Sequence, residues 1–202
     1  MIAKGTAEVE NATADINYIF GINPGVNTLC ADFEEAASGT TPGLNHPICG
    51  TTAIQNGVWY HAAATYDGTT WHLYLNGMPE ASLTVSQPAN DMNIAPVSLG
   101  TSIQSDGATT QGFFNGTLEE VRIWNYVRTP SEILATINAQ LTTAQAGLIA
   151  RWGLNQDTGT AINGSAGTSV NGTINDSGYS WVTPGAPFNI NFSIPAAPSG
   201  LN

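Results

Sequence analysis

The chain has 202 residues, a length that suits one sizeable β domain with a core large enough to fold without metal or disulfide support. Only 9% of its residues are charged, and 15 acidic residues against 4 basic ones give a net charge of -11, which disfavours nucleic acid and anionic membrane surfaces as partners. No apolar stretch is long enough for a transmembrane helix, and the first ten residues contain no apolar run of the signal-peptide type.

Short runs rich in β-branched and aromatic residues alternate with turn signals along most of the chain. The turn signals include Asn–Gly and Asp–Gly pairs that begin at Asn56, Asp67, Asn76, Asp106, Asn115 and Asn171. Regular short strands separated by such turns predict an all-β fold, an antiparallel sandwich or jelly roll.

The two cysteines, Cys30 and Cys49, lie 19 residues apart in a region rich in Gly and Thr. This isolated pair favours a disulfide over two free thiols, and closing a loop of that size stabilises a fold by roughly 3 kcal/mol in the chain-entropy model. The lack of a CxxC pair and the scattered histidines argue against a zinc site. With few charges and many Thr, Ser, Asn, Gln and Gly, the composition fits an exported protein better than a cytosolic enzyme.

Residues 59–76 predict a β-hairpin, because Asp67-Gly68 separates two alternating runs. The alternation places two sets of side chains on opposite faces of the second strand: Trp71, Leu73 and Leu75 on one, His72, Tyr74 and Asn76 on the other.

One helix is predicted over residues 130–141, with Thr129 as N-cap, Pro130 at the first helical position and Glu132 completing a capping box. Its apolar face consists of Ile133, Ile137 and Leu141. After about residue 184 the chain becomes rich in Pro, Ala and Ser, which is typical of a linker.

Three segments carry a family resemblance: "WYHAAATYDGTTWHLYLNG", "FFNGTLEEVRIWNYVRTPSEI" and "GLIARWGLNQDTGT". In this order and spacing they resemble the LamG-like jelly-roll domains of the concanavalin A-like lectin/glucanase superfamily, over roughly residues 1–185. The resemblance implies a jelly-roll domain at 1–184. Residues 185–202 resemble a linker or the start of a following domain, such as a fibronectin type III domain, in a larger exported protein.

The chain departs from the family pattern at its start, where the first two or so strands of such domains are absent before "IAKG". A jelly roll without them has an open sheet edge that invites pairing with another chain. We therefore expect either that C-terminal strands around 147–155 and 170–183 fill the vacated edge, or that the chain forms a homo-oligomer through it.

The function that the resemblance implies is that of a non-catalytic carbohydrate-binding or adhesion module, outside the cell or on its surface, whose partner is a glycan or cell-surface polysaccharide. Aromatic rings stack on the apolar faces of sugars. Most aromatic residues here belong to family motif positions in the core, whereas Tyr126 and Trp181 lie near the ends of elements. These two are the candidate ligand contacts.

The alternative is a glycan-active or other hydrolase on the same sandwich, with Asp32, Glu34 and Glu35 as its carboxylates. Alternation places Asp32 and Glu34 on one face of a strand, about 7 Å apart, where glycosidases use two carboxyls at defined separations. Laminarinase relatives have a Glu–Asp–Glu strand motif whose first Glu is missing here. Without catalysis, these residues would be a solvated strand end.

A serine-type catalytic site is not indicated. We expect His61 to be a core residue and His46 to be exposed, and no G-x-S-x-G elbow is present.

A structural calcium ion is the one cofactor that the resemblance implies, because an acidic residue at the position of Glu119 can bind Ca²⁺ in superfamily members. Calcium takes six to eight oxygen ligands, many of them backbone carbonyls. Otherwise Glu119 would bond to the backbone or water, and Glu120 would pair with Arg122. Weaker candidate ligands are Asp32, Asp67, Asp91 and Asp106.

Overall fold

The structure, a computed structural model of the chain, describes residues 1–7, 16–91, 95–104, 106–166, 170–175 and 177–188. Within these ranges the chain forms short strands and a single helix, as the turn pattern predicted, and no helix there is long and apolar enough to cross a membrane. The strands in chain order are β1 (Ile2–Lys4), β2 (Thr6–Ala7), β3 (Tyr18–Asn23), β4 (Thr28–Asp32), β5 (Ile48–Ala53), β6 (Ala62–Tyr66), β7 (Thr70–Leu75), β8 (Met78–Thr84), β9 (Val97–Leu99), β10 (Ser102–Gln104), β11 (Thr110–Gln111), β12 (Val121–Trp124), β13 (Leu148–Trp152), β14 (Ala161–Ile162) and β15 (Gly172–Thr173).

The first layer of the sandwich is a five-stranded antiparallel sheet in the order β5-β4-β3-β1-β9. Cys30 on β4 lies directly opposite Cys49 on β5, and the two form a disulfide with their Cα atoms 4.1 Å apart. This confirms the disulfide prediction. The bridge joins the edge strand β5 to its neighbour β4.

The second layer comes in two pieces, the sheet β6-β7-β8 and the pair β12-β13, which pack against different parts of the first. One hydrophobic cluster joins β4 and β5 to β7 through Phe33, Ile48, Trp71 and Leu73. A second cluster joins β12 and β13 to β9, and its buried centre includes Trp152. The sandwich therefore has two hydrophobic centres, one beneath each piece.

The predicted hairpin is formed by β6 and β7, with Gly68 in the left-handed conformation (φ 87°) at the turn. The carboxylate of Asp67 accepts backbone N–H groups from Thr69 at 2.8 Å and Thr70 at 2.7 Å, which fixes the turn. Trp71, Leu73 and Leu75, which the alternation places on one face, are all buried, and Tyr74 on the opposite face is buried as well.

The helix α1 (Pro130–Thr136) begins as predicted, with the capping box of Thr129 and Glu132 in place. It ends earlier than the expected residue 141. After Thr136 the backbone continues in tighter turns, in which an N–H group donates to the carbonyl three residues earlier. The guanidinium of Arg122 donates to the carbonyl oxygens of Thr136 (3.0 Å) and Ala139. The apolar face Ile133, Ile137 and Leu141 is nevertheless buried throughout.

The C-terminal strands extend the second layer on its far side only. β13 pairs with β12, and β15 pairs with β14 in a separate two-stranded sheet. No described strand pairs with the second edge of β6 or of β12. Of the two segments expected to fill an open edge, residues 147–155 supply β13, which pairs with β12, whereas residues 170–175 supply β15, which pairs only with β14. Neither segment pairs with the open edge of β6.

Candidate functional site

The three carboxylates of the hydrolase alternative do not lie along one strand, because β4 ends at Asp32. Phe33 enters the core with 1% exposure, and Glu34 and Glu35 follow in isolated bridges to Asn45 and Ala89. This corrects two expectations. Asp32 and Glu34 are not alternate residues of one strand face, and the glutamates are buried, at 4% and 3% exposure, rather than solvated.

The loop after β4 folds back so that His46 meets two of these carboxylates. Asp32 accepts the backbone N–H of His46 at 2.8 Å, and the second carboxyl oxygen of Glu35 lies 3.2 Å from the ring Nε2 of His46. The ring also packs on Phe33, with centroids 4.9 Å apart, and the His46 side chain is only 13% exposed. His46 is therefore not exposed as expected, because its loop is held against the core.

Half-burial raises the pKa of Asp32 to about 6, although backbone N–H groups of His46 and Phe33 and the nearby His46 ring act in the opposite direction. Glu35 also accepts the backbone N–H of Thr41. With Glu35 directed inward and bonded on both oxygens, this cluster ties residues 36–46 to the sandwich. Asp32 is the member of the three with access to solvent.

Glu119 and Glu120, next to each other before β12, have separate partners. Glu119 accepts the side-chain amide of Gln140 at 3.3 Å on one oxygen and the backbone N–H of Ala186 on the other. In the described ranges no group of three or more His, Cys, Asp or Glu side chains is arranged to hold a metal. Calcium binding by Glu119 therefore stays a prediction.

Glu120 pairs with Arg122 at 2.9 Å, as predicted, and also with Arg151. All three side chains are at most 8% exposed. Burial, and the neighbouring charge of Arg128, lower the pKa of Arg122 to about 10. This network joins β12, β13 and the end of the helix, and its role is structural.

Tyr126, just after β12, is the candidate ligand contact that the structure leaves open to solvent, at 41% exposure. Its ring lies on the backbone of Gly147, where a Cβ atom would overlap it. The ring meets Trp124 edge to face, with centroids 5.7 Å apart and an interplanar angle of 86°. The Arg128 guanidinium packs over the same Trp124 ring at 4.1 Å. Tyr126 is thus an exposed ring on a rigid support.

Trp181, the second candidate contact, is half-buried and packs against the cluster beneath β12 and β13. Its indole N–H donates to the carbonyl of Gly159 at 3.2 Å, and the Tyr179 hydroxyl donates to the same oxygen at 3.1 Å. Tyr179, at 38% exposure, is the more open of this pair. The sequence did not indicate Tyr179 as a candidate contact, because the exposure of a side chain in a loop depends on tertiary packing.

The sequence profile described as the Concanavalin A-like lectin/glucanases superfamily, of laminin G type, matches residues 4–134, well over half of the chain. The chain belongs to this superfamily. The segments quoted for the resemblance agree with that assignment, and the antiparallel sandwich with one short helix is the fold expected for it.

Two solved structures resemble the chain. One is a candidate carbohydrate-binding protein from Bacteroides ovatus, with 21% identity and a TM-score of 0.62 over 87% of this chain. The match covers 47% of that protein, so this chain spans about half of its length. The other is an S-layer domain-containing protein from Clostridium thermocellum, with 20% identity, a TM-score of 0.35, and coverage of 58% of this chain and 60% of that one.

The concanavalin A-like sandwich of this chain is open along the line between β6 and β12, and we call this opening the central groove. Its volume is about 1140 Å³. Its floor is formed by β1 and β3, including Ile2, Tyr18 and Phe20, and its walls by β6 and β12. The strands that border the groove become known only from the pairing of distant segments, which the sequence alone does not show.

His61 lies on the β6 side of the central groove, and its Nδ1 is shielded from solvent with no hydrogen-bond partner among the described residues. Burial, followed by the charges of Arg122 and Arg128, lowers the pKa of His61 to about 4. The imidazole is therefore neutral near pH 7. The expectation of a core histidine with satisfied hydrogen bonds holds only in part, because His61 is half-buried and its Nδ1 has no partner among the described residues.

Proposed function

We propose that this chain is a non-catalytic carbohydrate-binding module of a larger exported protein, with Tyr126 as its sugar-stacking residue. The observation that carries the proposal is the solvent-open Tyr126 ring, which Gly147 and Trp124 hold in place. A ring that is already fixed loses little conformational entropy when a sugar packs on its free face.

Polar groups beside Tyr126 supply partners for sugar hydroxyls. The Tyr126 hydroxyl lies 3.4 Å from a carboxyl oxygen of Glu132, and Asn125 is exposed next to it. An apolar surface flanked by a few oriented polar groups is the usual composition of a small-ligand site. The superfamily assignment and the name of the Bacteroides ovatus structure support a carbohydrate ligand.

The proposed location is outside the cell or on its surface. The Cys30–Cys49 bridge supports it, because disulfides persist mainly in oxidising compartments. Adhesion to a cell-surface polysaccharide is the corresponding biological role.

The test is a glycan array and pull-down with insoluble polysaccharides, followed by titration of the best ligand. Tyr126→Ala is expected to weaken binding at least tenfold, roughly 1.4 kcal/mol, whereas Tyr126→Phe keeps the ring and stays within a few fold. Phe113→Ala, which removes an exposed ring elsewhere on the surface (64% exposed), is the matched control and leaves affinity unchanged. An array without hits, or equal affinity for Tyr126→Ala and the parent, would contradict the proposal.

A hydrolase is the second candidate, and the observation that favours it is the raised pKa of Asp32, since a glycosidase acid needs such a carboxyl. On that hypothesis Asp32→Asn abolishes sugar release from polysaccharides, and Glu35→Gln alters the pH profile. Release that persists in Asp32→Asn would eliminate Asp32 as the catalytic acid.

A further inference from the structure

Tyr179 and Trp181 form a second aromatic surface of the molecule, which we call the aromatic corner. Their ring centroids lie 6.2 Å apart, and the ring planes meet at 88°. The Tyr179 hydroxyl and the Trp181 indole N–H donate to the same carbonyl oxygen, that of Gly159, at 3.1 and 3.2 Å. One acceptor therefore fixes the orientation of both rings.

The two rings of the aromatic corner do not stack on each other. Because their planes are nearly perpendicular, they meet edge to face, and at most one ring face is covered by the edge of the other ring. Trp181 packs against the cluster that includes Trp152 and Ile162, whereas Tyr179 is 38% exposed. The aromatic corner is thus anchored in the core on one side and open to solvent on the other.

Polar groups border the aromatic corner. The hydroxyl of Thr183, two residues after Trp181, donates to a carboxyl oxygen of Asp157 at 3.4 Å, and Asp157 lies two residues before Gly159. Both Asp157 and Thr183 are exposed. A carboxylate and a hydroxyl beside aromatic rings complement the hydroxyls and the apolar face of a sugar. The negative charge of Asp157 favours a neutral sugar over an anionic one.

The aromatic corner lies at the opposite end of β13 from Tyr126. The Tyr126 ring lies on Gly147, directly before β13. Trp152, the last residue of β13, pairs with Gly164 in an antiparallel bridge, so the chain from Gly164 back to Gly159 continues past the end of β13. The extended backbone from Gly147 to Trp152 alone spans roughly 17 Å. A single sugar ring therefore does not contact both Tyr126 and the aromatic corner.

We propose that the aromatic corner is a second carbohydrate-binding site, separate from Tyr126, which takes one sugar ring of a neutral polysaccharide. The sugar packs on Tyr179 and Trp181, and its hydroxyls bond to Asp157 and Thr183. The inference rests on the proposed function and extends it, because a module with two sites holds a polymer at two points. The second contact then forms at a raised effective concentration, so a long polymer binds more tightly than a short oligosaccharide.

The experiment is affinity electrophoresis of the full chain in gels that contain laminarin, xyloglucan or galactomannan, which are neutral polymers. In the gel that retards the parent most, Tyr179→Ala is expected to weaken binding about fivefold, and the double variant Tyr126→Ala/Tyr179→Ala is expected to lose retardation. Val182→Ala, which shortens an exposed apolar side chain (49%) next to Trp181 and removes no ring, is the matched control and migrates like the parent. Parent-like retardation of Tyr179→Ala, with weakened binding of Tyr126→Ala, would overturn the second site and leave the proposed function intact.

The Trp181 ring gives a second readout, which does not depend on the folding of Tyr179→Ala. Its indole N–H resonance in the proton–nitrogen NMR spectrum, assigned by its loss in Trp181→Phe, is expected to shift when oligosaccharides of the retarding polymer are added, both in the parent and in Tyr126→Ala. An unchanged Trp181 resonance, with shifts elsewhere in the spectrum, would overturn the inference. Retardation lost in Tyr179→Ala but kept in Tyr126→Ala would support the aromatic corner and contradict the assignment of Tyr126. A parent that none of the polymers retards would contradict the proposed function and, with it, the second site.

Discussion

At the scale of single residues, Asp32 and Asp67 show how the surroundings of a carboxyl set the sign of its contribution to stability. Half-burial raises the pKa of Asp32 to about 6, whereas backbone N–H groups of Thr70 and Thr69 lower the pKa of the exposed Asp67. Between pH 4 and 6 the folded state keeps a proton on Asp32 that the unfolded chain has lost. The contribution of Asp32 therefore becomes less favourable as pH rises through this window.

Asp32→Asn is accordingly expected to stabilise the fold at pH 7 by about 1 kcal/mol, a value reduced for solvent screening, and to raise the melting temperature by roughly 3 °C. The Asn oxygen still accepts the His46 N–H, and the gain disappears near pH 4. Asp67→Asn is the control with the opposite sign: it lowers the melting temperature at pH 7, and that loss disappears as the pH falls. Melting curves from pH 3.5 to 8 test both. A lower melting temperature for Asp32→Asn than for the parent at pH 7 would contradict the raised pKa of Asp32.

At the scale of elements, Glu120 connects β12, β13 and the end of α1. It pairs with Arg122 and Arg151 and also accepts the backbone N–H of Leu141 at 3.2 Å. Removing its charge leaves two buried guanidinium groups without their carboxylate, a situation that typically costs 3–5 kcal/mol. Local sequence showed the Glu120–Arg122 pair, but Arg151 joins it only through strand pairing.

Glu120→Gln is expected to lower the free energy of unfolding by about 3 kcal/mol, measured by urea denaturation at pH 7. Glu132→Gln is the matched control, since this carboxylate is at the helix start and Gln also serves in a capping box. It should leave the urea midpoint close to that of the parent. Equal midpoints for both variants would show that the arginine network contributes little to stability.

The elements that the sequence predicted correctly are those determined by residues close to one another in the chain. Thr129, Pro130 and Glu132 define the helix start within four residues, and Asp67-Gly68 defines the hairpin turn. What the sequence did not reveal depends on distant segments. His46 became buried because its loop meets Phe33 and Glu35, and Tyr126 gained its support from Gly147, 21 residues away.

At the scale of the whole molecule, calcium would act on the global unfolding equilibrium if Glu119 binds it. A ligand at a hundredfold excess over its Kd stabilises a fold by about 2.7 kcal/mol. EDTA should then lower the melting temperature, Ca²⁺ should restore it, and Glu119→Gln should abolish the response. Superimposable melting curves of the parent with EDTA and with Ca²⁺ would refute the calcium prediction.

If the chain binds glycans as proposed, the charge distribution of the whole molecule predicts which glycans those are. None of the four basic side chains is exposed, since Lys4 donates to the Ala95 carbonyl at 2.5 Å and the three arginines lie within the sandwich and against the helix. Exposed carboxylates include those of Asp67, Asp91, Asp106 and Asp157, and the net charge is -11. Such a surface repels polyanions over the Debye length, about 10 Å at 0.1 M salt.

We therefore expect neutral polysaccharides to bind and sulfated or uronic-acid polymers to bind at least tenfold more weakly at low salt. Raising the salt from 20 mM to 500 mM should narrow that difference, because screening removes repulsion from the anionic polymers and leaves stacking on Tyr126 unchanged. Affinity electrophoresis with matched neutral and carboxylated forms of one polymer measures both effects. Tighter binding to the anionic form, weakened by salt, would mean that a cationic site rather than the Tyr126 ring recognises the ligand.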